Sequence, residues 1–213
     1  MEARQIDFTG KTALVTGSSR GLGLSLAEAF AAQGARVAVC GRKQENLDRA
    51  VQELKGKGLQ VLAHPAHMGK ADQVDDLFTA VRETFGRLDI LVNNVGMNLP
   101  TPSTAEVEEG LWDKILEGNL KSAFLGSGRA VPLMKEQGGG RIVNISSVAA
   151  RKATRGMGVY CVAKAALEMY TRVLAAELAA DGIRVNAVAP GMVRTGFSKP
   201  FWGNEALLDQ ITA

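Results

Sequence analysis

The sequence Thr16-Gly17-Ser18-Ser19-Arg20-Gly21-Leu22-Gly23 lies between an apolar run of strand length, Thr12–Thr16, and a segment with apolar residues at helical spacing, Leu22–Gln33. Glycines at these three positions let the backbone turn tightly and approach a pyrophosphate. The helix that follows presents free N–H groups and the positive end of its dipole to such an anion. A glycine-rich turn between a strand and a helix, in the first βαβ unit of a chain, predicts a dinucleotide-binding site.

Runs of strand length and helix-period segments alternate along the rest of the chain. Further strands are predicted at Arg36–Cys40, Gln60–Ala63, Leu88–Val92, Arg141–Ile145 and Ile183–Val188, and helices at Glu45–Lys55, Ala71–Phe85, Thr104–Gln137 (one or two helices) and Gly158–Ala180. Such alternation forms βαβ units, and right-handed crossovers place helices on both faces of a parallel sheet. The sequence therefore predicts an α/β protein with a Rossmann-type doubly wound parallel sheet, ordered 3-2-1-4-5-6, as a single domain over residues 1–213.

The composition excludes several classes of protein. With 46% hydrophobic residues and a formal net charge of +3, the chain is neither disordered nor basic enough to indicate a nucleic-acid partner. No apolar stretch approaches the ~18 residues that span a membrane. Cys40, Cys161, His64 and His67 lack metal-ligand spacing, so no metal is expected. The chain shows no apolar signal core and no peroxisomal signal, which favours the cytoplasm or an organelle matrix.

A candidate catalytic group lies in the second half of the chain. Tyr160 and Lys164 are four residues apart in a predicted helix, so they share one face. An ammonium beside a phenol lowers the tyrosine pKa, and such a tyrosine can exchange a proton with a carbonyl or an alcohol. Ser147 ends the fifth strand, where ligands bind in open α/β sheets, and Ser146 is the adjacent competitor.

The second strand carries the signal for the cofactor. In NAD-binding folds an acid about 20 residues past the glycines holds the ribose hydroxyls. Residues 36 to 44 contain no Asp or Glu, and Arg42 offers a guanidinium suited to a 2′-phosphate. Arg20, within the glycine turn, is placed to hold the same phosphate from the other side. These features together predict NADP(H).

Six motifs resemble those of the short-chain dehydrogenase/reductase family, and the resemblance covers nearly the whole chain. Besides the glycine turn they are Asn93-Asn94-Val95-Gly96, Asn119 within residues 117–122, Asn144-Ile145-Ser146-Ser147, Tyr160-Cys161-Val162-Ala163-Lys164 and Pro190-Gly191-Met192-Val193-Arg194-Thr195. Shorter stretches, among them Arg42-Lys43-Gln44 and Phe197-Ser198-Lys199, are similar to the branch of NADPH-dependent carbonyl and retinal reductases formed by dehydrogenase/reductase members 2 and 4.

The resemblance implies an NADPH-dependent oxidoreductase that reversibly reduces a ketone or aldehyde to an alcohol by hydride transfer, with Tyr160 as proton donor. It implies that Ser147 binds the substrate oxygen, that Lys164 also holds the nicotinamide ribose, and that Asn119 positions a water linking Lys164 to solvent. Asn93 is expected to tie the fourth strand to its neighbours. The implied cofactor-binding residues are Gly17, Ser19, Arg20, Gly21, Leu22, Gly23, Arg42, His67, Met68, Asn94, Val95, Gly96, Tyr160, Lys164, Pro190, Gly191, Val193 and Thr195.

His67 departs from the family pattern, because it stands where members usually carry an Asp that contacts adenine. Substrate choice is expected in three loops, Met97–Ser103, Ala149–Gly158 and Met192–Ala213. Their mixed apolar and basic content suggests an apolar carbonyl. Bacterial 3-oxoacyl-carrier-protein reductases share the six motifs and remain an alternative.

Family members continue through a further helix and a seventh parallel strand, which do not follow Ala213, so the chain is expected to be truncated at its C-terminus. A catalytically weak NADP-binding protein is therefore a second alternative. In relatives the two long helices pair across a two-fold axis, and here they carry apolar residues in excess of one face: Trp112, Leu116, Phe124, Met169 and Leu174. We expect a homo-oligomer, a dimer for this form and a tetramer for a longer one.

Overall fold

The computed structural model describes residues 6–203, and its centre is a six-stranded sheet. All strands are parallel, in the order β3-β2-β1-β4-β5-β6, which confirms the predicted fold and strand order. The strands are β1 (Thr12–Val15), β2 (Arg36–Gly41), β3 (Val61–Pro65), β4 (Ile90–Asn93), β5 (Gly140–Ile145) and β6 (Ile183–Val188). The helices are α1 (Gly21–Ala32), α2 (Gln44–Gly56), α3 (Ala71–Phe85), α4 (Glu109–Leu116), α5 (Ser122–Glu136), α6 (Gly158–Glu177) and α7 (Lys199–Trp202).

Side chains that alternate along β1 enter two different cores. Leu14 packs into one cluster with Leu91 and Ile142, whereas Val15 packs into a second cluster with Val39. Because successive residues of a strand point to opposite faces, the sheet is apolar on both faces and is covered by helices on both. This double burial explains why the strands read as continuous apolar runs.

Polar side chains join the ends of neighbouring strands. Asn93 donates from Nδ2 to Asn144 Oδ1 at 2.9 Å and to Ser127 Oγ at 3.1 Å. Asn144 Nδ2 in turn donates to Thr171 Oγ1 on α6 at 2.9 Å. The prediction that Asn93 ties its strand to its neighbours is confirmed. The chain thus fixes β4, β5 and α6 relative to one another immediately beside the carboxyl edge of the sheet.

The predicted helical segment Thr104–Gln137 is shorter and less regular than expected. The helix begins only at Glu109, because residues 104–106 form a bend and a turn and Glu108 has extended backbone dihedrals. A π-helical turn at Glu117–Lys121 then separates α4 from α5. Such turns occur mostly inside α-helices and frequently at functional sites.

Only two of the five apolar residues expected in excess on the long helices are exposed. Phe124 is 53% and Met169 is 54% exposed. Leu174 instead packs against the first core cluster, and Trp112 and Leu116 pack against a third cluster that contains Tyr160. The third cluster, formed by α4 and α6 beneath the loop after β5, partly buries Trp112 and Leu116, and the first cluster partly buries Leu174, so these three residues contribute less exposed surface than expected.

Candidate active site

A cavity of about 670 Å³ opens at the carboxyl edge of the sheet, where β1, β4 and β5 end. Every residue predicted to bind the cofactor lines this cavity, and so do Ser147, Tyr160 and Lys164. Asn119 is the one predicted site residue that does not line it. The structure therefore brings together residues that are up to 178 positions apart, from Gly17 to Thr195.

The glycine turn has the geometry of an anion-binding loop. Gly17 and Gly21 have φ of +64° and +58°, values that only glycine adopts readily. A Cβ on Gly23 would lie 2.5 Å from both Asn94 Nδ2 and the Gly17 carbonyl oxygen, so no larger residue fits there. The N-terminus of α1 has no side-chain cap, and its first N–H groups are left for another acceptor. A pyrophosphate is an acceptor of the required charge.

Arg20 and Arg42 line the end of the cavity next to this turn, and both are exposed. The Gly41 backbone packs closely against Ser19, since a Cβ on Gly41 would lie 2.8 Å from Ser19 Oγ. In the part of the chain that the structure describes, no Asp or Glu lines the cavity. This donor set fits a dinucleotide with an additional phosphate and lacks the carboxylate that would hold a free ribose hydroxyl pair.

His67 takes part in a turn that leads into α3. Its Nδ1 accepts a hydrogen bond from the Gly69 N–H at 3.1 Å, and its own backbone N–H donates to Gln73 Oε1 at 2.8 Å. A neutral imidazole that accepts at Nδ1 carries its proton on Nε2. The His67 side chain therefore accepts a hydrogen bond within its own turn, as an Asp side chain could. Unlike an Asp, it also has an N–H donor.

The two candidate serines face different partners. The Ser146 hydroxyl is buried and contacts Glu168 Oε1 at 3.3 Å on α6. Ser147 Oγ accepts from the Ala149 N–H at 3.2 Å, at the start of the short helical turn Val148–Ala150. Ser147 is only half-buried, and its hydroxyl lines the cavity within hydrogen-bonding reach of Tyr160. The geometry favours Ser147 over Ser146 as the ligand-binding serine.

Tyr160 and Lys164 lie on one face of α6, with Lys164 Nζ 5.6 Å from the centroid of the Tyr160 ring. Nζ donates to the Ile145 carbonyl oxygen at 2.8 Å. Burial lowers the Lys164 pKa to about 8. Burial also raises the pKa of Tyr160, and the Ser147 hydroxyl acts in the opposite direction. The expected lowering of the Tyr160 pKa by Lys164 is not seen, because the ammonium is directed at a carbonyl and desolvation of the phenol dominates.

We expect Lys164→Met to change how stability depends on pH. Between about pH 8 and the ordinary lysine pKa of 10.5, Lys164 is largely neutral when folded but still protonated when unfolded. The unfolded state then binds more protons, so the stability of the wild type should rise relative to that of Lys164→Met by about 3 kcal/mol across this window. Urea denaturation of both proteins at a series of pH values measures the difference. Lys55→Met, at an exposed position on α2, is the matched control, and curves for wild type and Lys164→Met that stay parallel would contradict the shift.

Asn119 lies in the π-helical turn and braces the loop that follows β4. Its Nδ2 donates to the carbonyl oxygens of Met97 at 2.7 Å and Ile115 at 2.8 Å, and its Oδ1 accepts from the Met97 N–H at 3.1 Å. A Cβ on Gly96 in this loop would lie 3.3 Å from Asn119 Oδ1 and 3.5 Å from Lys164 Nζ. Both Nδ2 protons are used in this brace, and Oδ1 has one of its two acceptor sites occupied.

Two polar residues of the site were missed at the sequence level. Glu168 is buried on α6, accepts from Ser146, and accepts from Arg151 Nε at 3.1 Å. Ser198 is buried beyond β6, accepts from the Thr195 N–H at 3.1 Å and donates to the Val193 carbonyl. The position of Glu168, four residues after Lys164 on one helix face, is a signal that could have found it. No local pattern marks Ser198.

The fold and the cavity together define a dinucleotide-binding oxidoreductase with a doubly wound sheet. Residues 11–206 match the model of the short chain dehydrogenase family, and the chain belongs to that family. It is 41% identical over 208 residues to dehydrogenase/reductase SDR family member 4 of Oryctolagus cuniculus, an alignment that covers 98% of this chain and 80% of that protein. It is 43% identical over 211 residues to the human dehydrogenase/reductase SDR family member 2, mitochondrial, with 97% and 75% covered. These relatives confirm the branch indicated by the sequence.

A solved structure supports the same conclusion. The chain superposes on a putative NAD(P)-dependent gluconate 5-dehydrogenase from Beutenbergia cavernae, whose structure holds NADP at low occupancy. The TM-score is 0.90 and the sequence identity is 32%, and the match covers 97% of this chain and 82% of that one. Within residues 6–203, no helix is long and apolar enough to cross a membrane. The same residues include no group of three or more His, Cys, Asp or Glu side chains arranged for a metal ion.

Proposed function

We propose that this protein is an NADPH-dependent carbonyl reductase that converts a ketone or aldehyde to an alcohol and catalyses the reverse reaction. The observation that carries the proposal is one cavity with an anion-binding glycine turn at one end and Ser147, Tyr160 and Lys164 at the other. Neither end alone is specific, but the two ends in a single cavity suit a dinucleotide that reaches from its phosphates to its reactive ring.

The chain's own groups supply acid catalysis. Ser147 and Tyr160 donate hydrogen bonds to the carbonyl oxygen, and the Tyr160 hydroxyl transfers its proton to that oxygen as negative charge develops there. The raised Tyr160 pKa keeps the phenol protonated and ready to donate. Lys164, in its charged form, stabilises the phenolate that remains. A bound reduced nicotinamide supplies the hydride.

The preference for NADPH is supported by Arg20 and Arg42, and by the absence of a carboxylate from the described residues next to them along the cavity. A guanidinium pairs with a phosphate through two parallel N–H donors, whereas a ribose hydroxyl pair needs an acceptor. The NADP named for the Beutenbergia cavernae protein, a relative at 32% identity, supports the same choice.

NADPH oxidation followed by absorbance against a panel of ketones and aldehydes tests this function. We expect turnover of at least one member of the panel, and a rise in melting temperature when NADPH is added, because a ligand that binds only the folded state stabilises it. A rise in melting temperature without any turnover would favour the alternative of a catalytically weak NADP-binding protein. No effect of NADPH on either measurement would contradict the proposal altogether.

We also propose that the exposed face of α5 and α6 packs against a second copy of the chain. Phe124 and Tyr170 lie on this face with ring centroids 6.5 Å apart, and Met169 stands beside them in the helix, 54% exposed. Light scattering should report a dimer or a larger assembly, and Phe124→Glu combined with Met169→Glu should shift it toward monomer without loss of fold. A stable, monodisperse wild-type monomer would contradict this assembly.

A further inference from the structure

Within residues 6–203, the charged residues that line the cavity are all cations. They are Arg20, Arg42, Lys152, Arg155 and Lys164. In the proposed function Arg20 and Arg42 hold cofactor phosphates and Lys164 acts in catalysis. Lys152 and Arg155 have no such assignment, although they line the same cavity.

These two cations lie on the loop between the turn that follows Ser147 and the start of α6, which carries Tyr160. Both ends of the loop are fixed. At one end Arg151 Nε donates to the buried Glu168 Oε2 at 3.1 Å, and at the other the Thr101 N–H donates to the Gly156 carbonyl at 2.9 Å. The loop is therefore held across the catalytic end of the cavity by contacts on both sides.

The three basic residues of this loop, Arg151, Lys152 and Arg155, differ in whether they form a salt bridge. Arg151 is paired with Glu168. Within residues 6–203, neither Lys152 nor Arg155 forms a salt bridge. Two cations on one anchored loop face a cavity whose lining within residues 6–203 includes no carboxylate, and they form a region of positive potential beside the reacting groups.

Apolar side chains surround the same catalytic end. They are Met97, Val148, Ala149, Met157 and Phe197. An apolar lining with cations on its outer loop matches a ligand that has an apolar body and a charged end. A neutral apolar ketone would use the lining and leave the cations unused.

We propose that the substrate is a ketone or aldehyde whose apolar body carries a distal carboxylate or similar anionic group, and that Lys152 and Arg155 bind this group. The inference rests on the proposed function and adds a substrate class to it. Hydrogen bonds to charged groups contribute enough to change an affinity by about tenfold or more. Because both side chains are exposed, the attraction should weaken as salt is added.

The test uses two ketones with one body: benzoylbutanoate, which ends in a carboxylate, and its methyl ester. We expect kcat/KM for the acid to exceed that for the ester by about tenfold, with most of the difference in KM. Lys152→Gln combined with Arg155→Gln should abolish the preference and leave kcat/KM for the ester unchanged. Arg49→Gln combined with Lys55→Gln, on α2 away from the cavity, changes the net charge equally and should keep the preference.

Equal kcat/KM for acid and ester in the wild type would overturn the proposal, and so would a preference that survives in the Lys152/Arg155 double variant. Titration calorimetry of the complex with NADP⁺ separates this inference from the proposed function. If no ketone or aldehyde of the panel is reduced, the proposed function fails. In that case, tighter binding of the acid than of the ester would still support the anion site, provided that the difference depends on Lys152 and Arg155. Equal binding of the two ketones would overturn it.

Discussion

We expect Tyr160→Phe to lower kcat for carbonyl reduction by about 10²- to 10⁴-fold, the range lost when a positioned general acid is removed. The Tyr160 ring is packed in a buried cluster with Ile115 and Ala163, and phenylalanine keeps that packing. Only the hydroxyl is lost, so the affinity for NADPH and the melting temperature should change little. Steady-state kinetics and a fluorescence titration of NADPH measure the two effects separately.

Tyr170→Phe is the matched control, because Tyr170 lies on the same helix but outside the cavity, and it should keep wild-type activity. Lys164→Ala provides a second comparison, since it should reduce both turnover and cofactor affinity. If Tyr160→Phe retained most of the activity, the proton donor would have to be another group.

Replacement of Arg42 by Asp should change the cofactor preference. The substitution removes a guanidinium from the phosphate-binding end of the cavity and supplies a carboxylate that accepts from ribose hydroxyls but repels a 2′-phosphate. We expect the affinity for NADPH to fall by about 10- to 10²-fold, which corresponds to the loss of a charge-assisted hydrogen bond, while the affinity for NADH rises. Fluorescence titration of both cofactors gives the ratio.

Lys43→Asp is the control for Arg42→Asp. Lys43 is the next residue, is exposed, and does not line the cavity, so the same change of charge there should leave the ratio close to that of the wild type. A wild-type protein that binds NADH as tightly as NADPH would contradict the assignment of the cofactor before any variant is made.

The sequence predicts the parallel sheet and one end of the site well because both depend on local patterns. Strand-length apolar runs separated by helices leave few alternatives to a doubly wound sheet. Positive φ at Gly17 and Gly21 follows from the turn in which they lie. Tyr160 and Lys164 share a face because helical periodicity fixes their spacing.

Contacts between distant segments could not be predicted from local patterns. The hydrogen bonds from Asn119 to Met97 and the Ser198 turn depend on how loops fold over the finished sheet. The direction of the Tyr160 pKa also depends on the packing around its ring, and the spacing to Lys164 contains no information about that burial. Arg151 and Glu168 are 17 residues apart, and nothing in either residue's neighbourhood marks the pair.

The π-helical turn at Glu117–Lys121 makes the helical segment one residue longer than a regular helix would need between the same end points. A chain shortened by one residue here would close the turn into α-helix, and α5 would keep its phase against the sheet. The loss of this residue would alter the loop after β4, which Asn119 braces next to Lys164. The packing of the core would not change. Insertion or deletion at this single point should therefore change the loop that follows β4 and leave the rest of the scaffold the same.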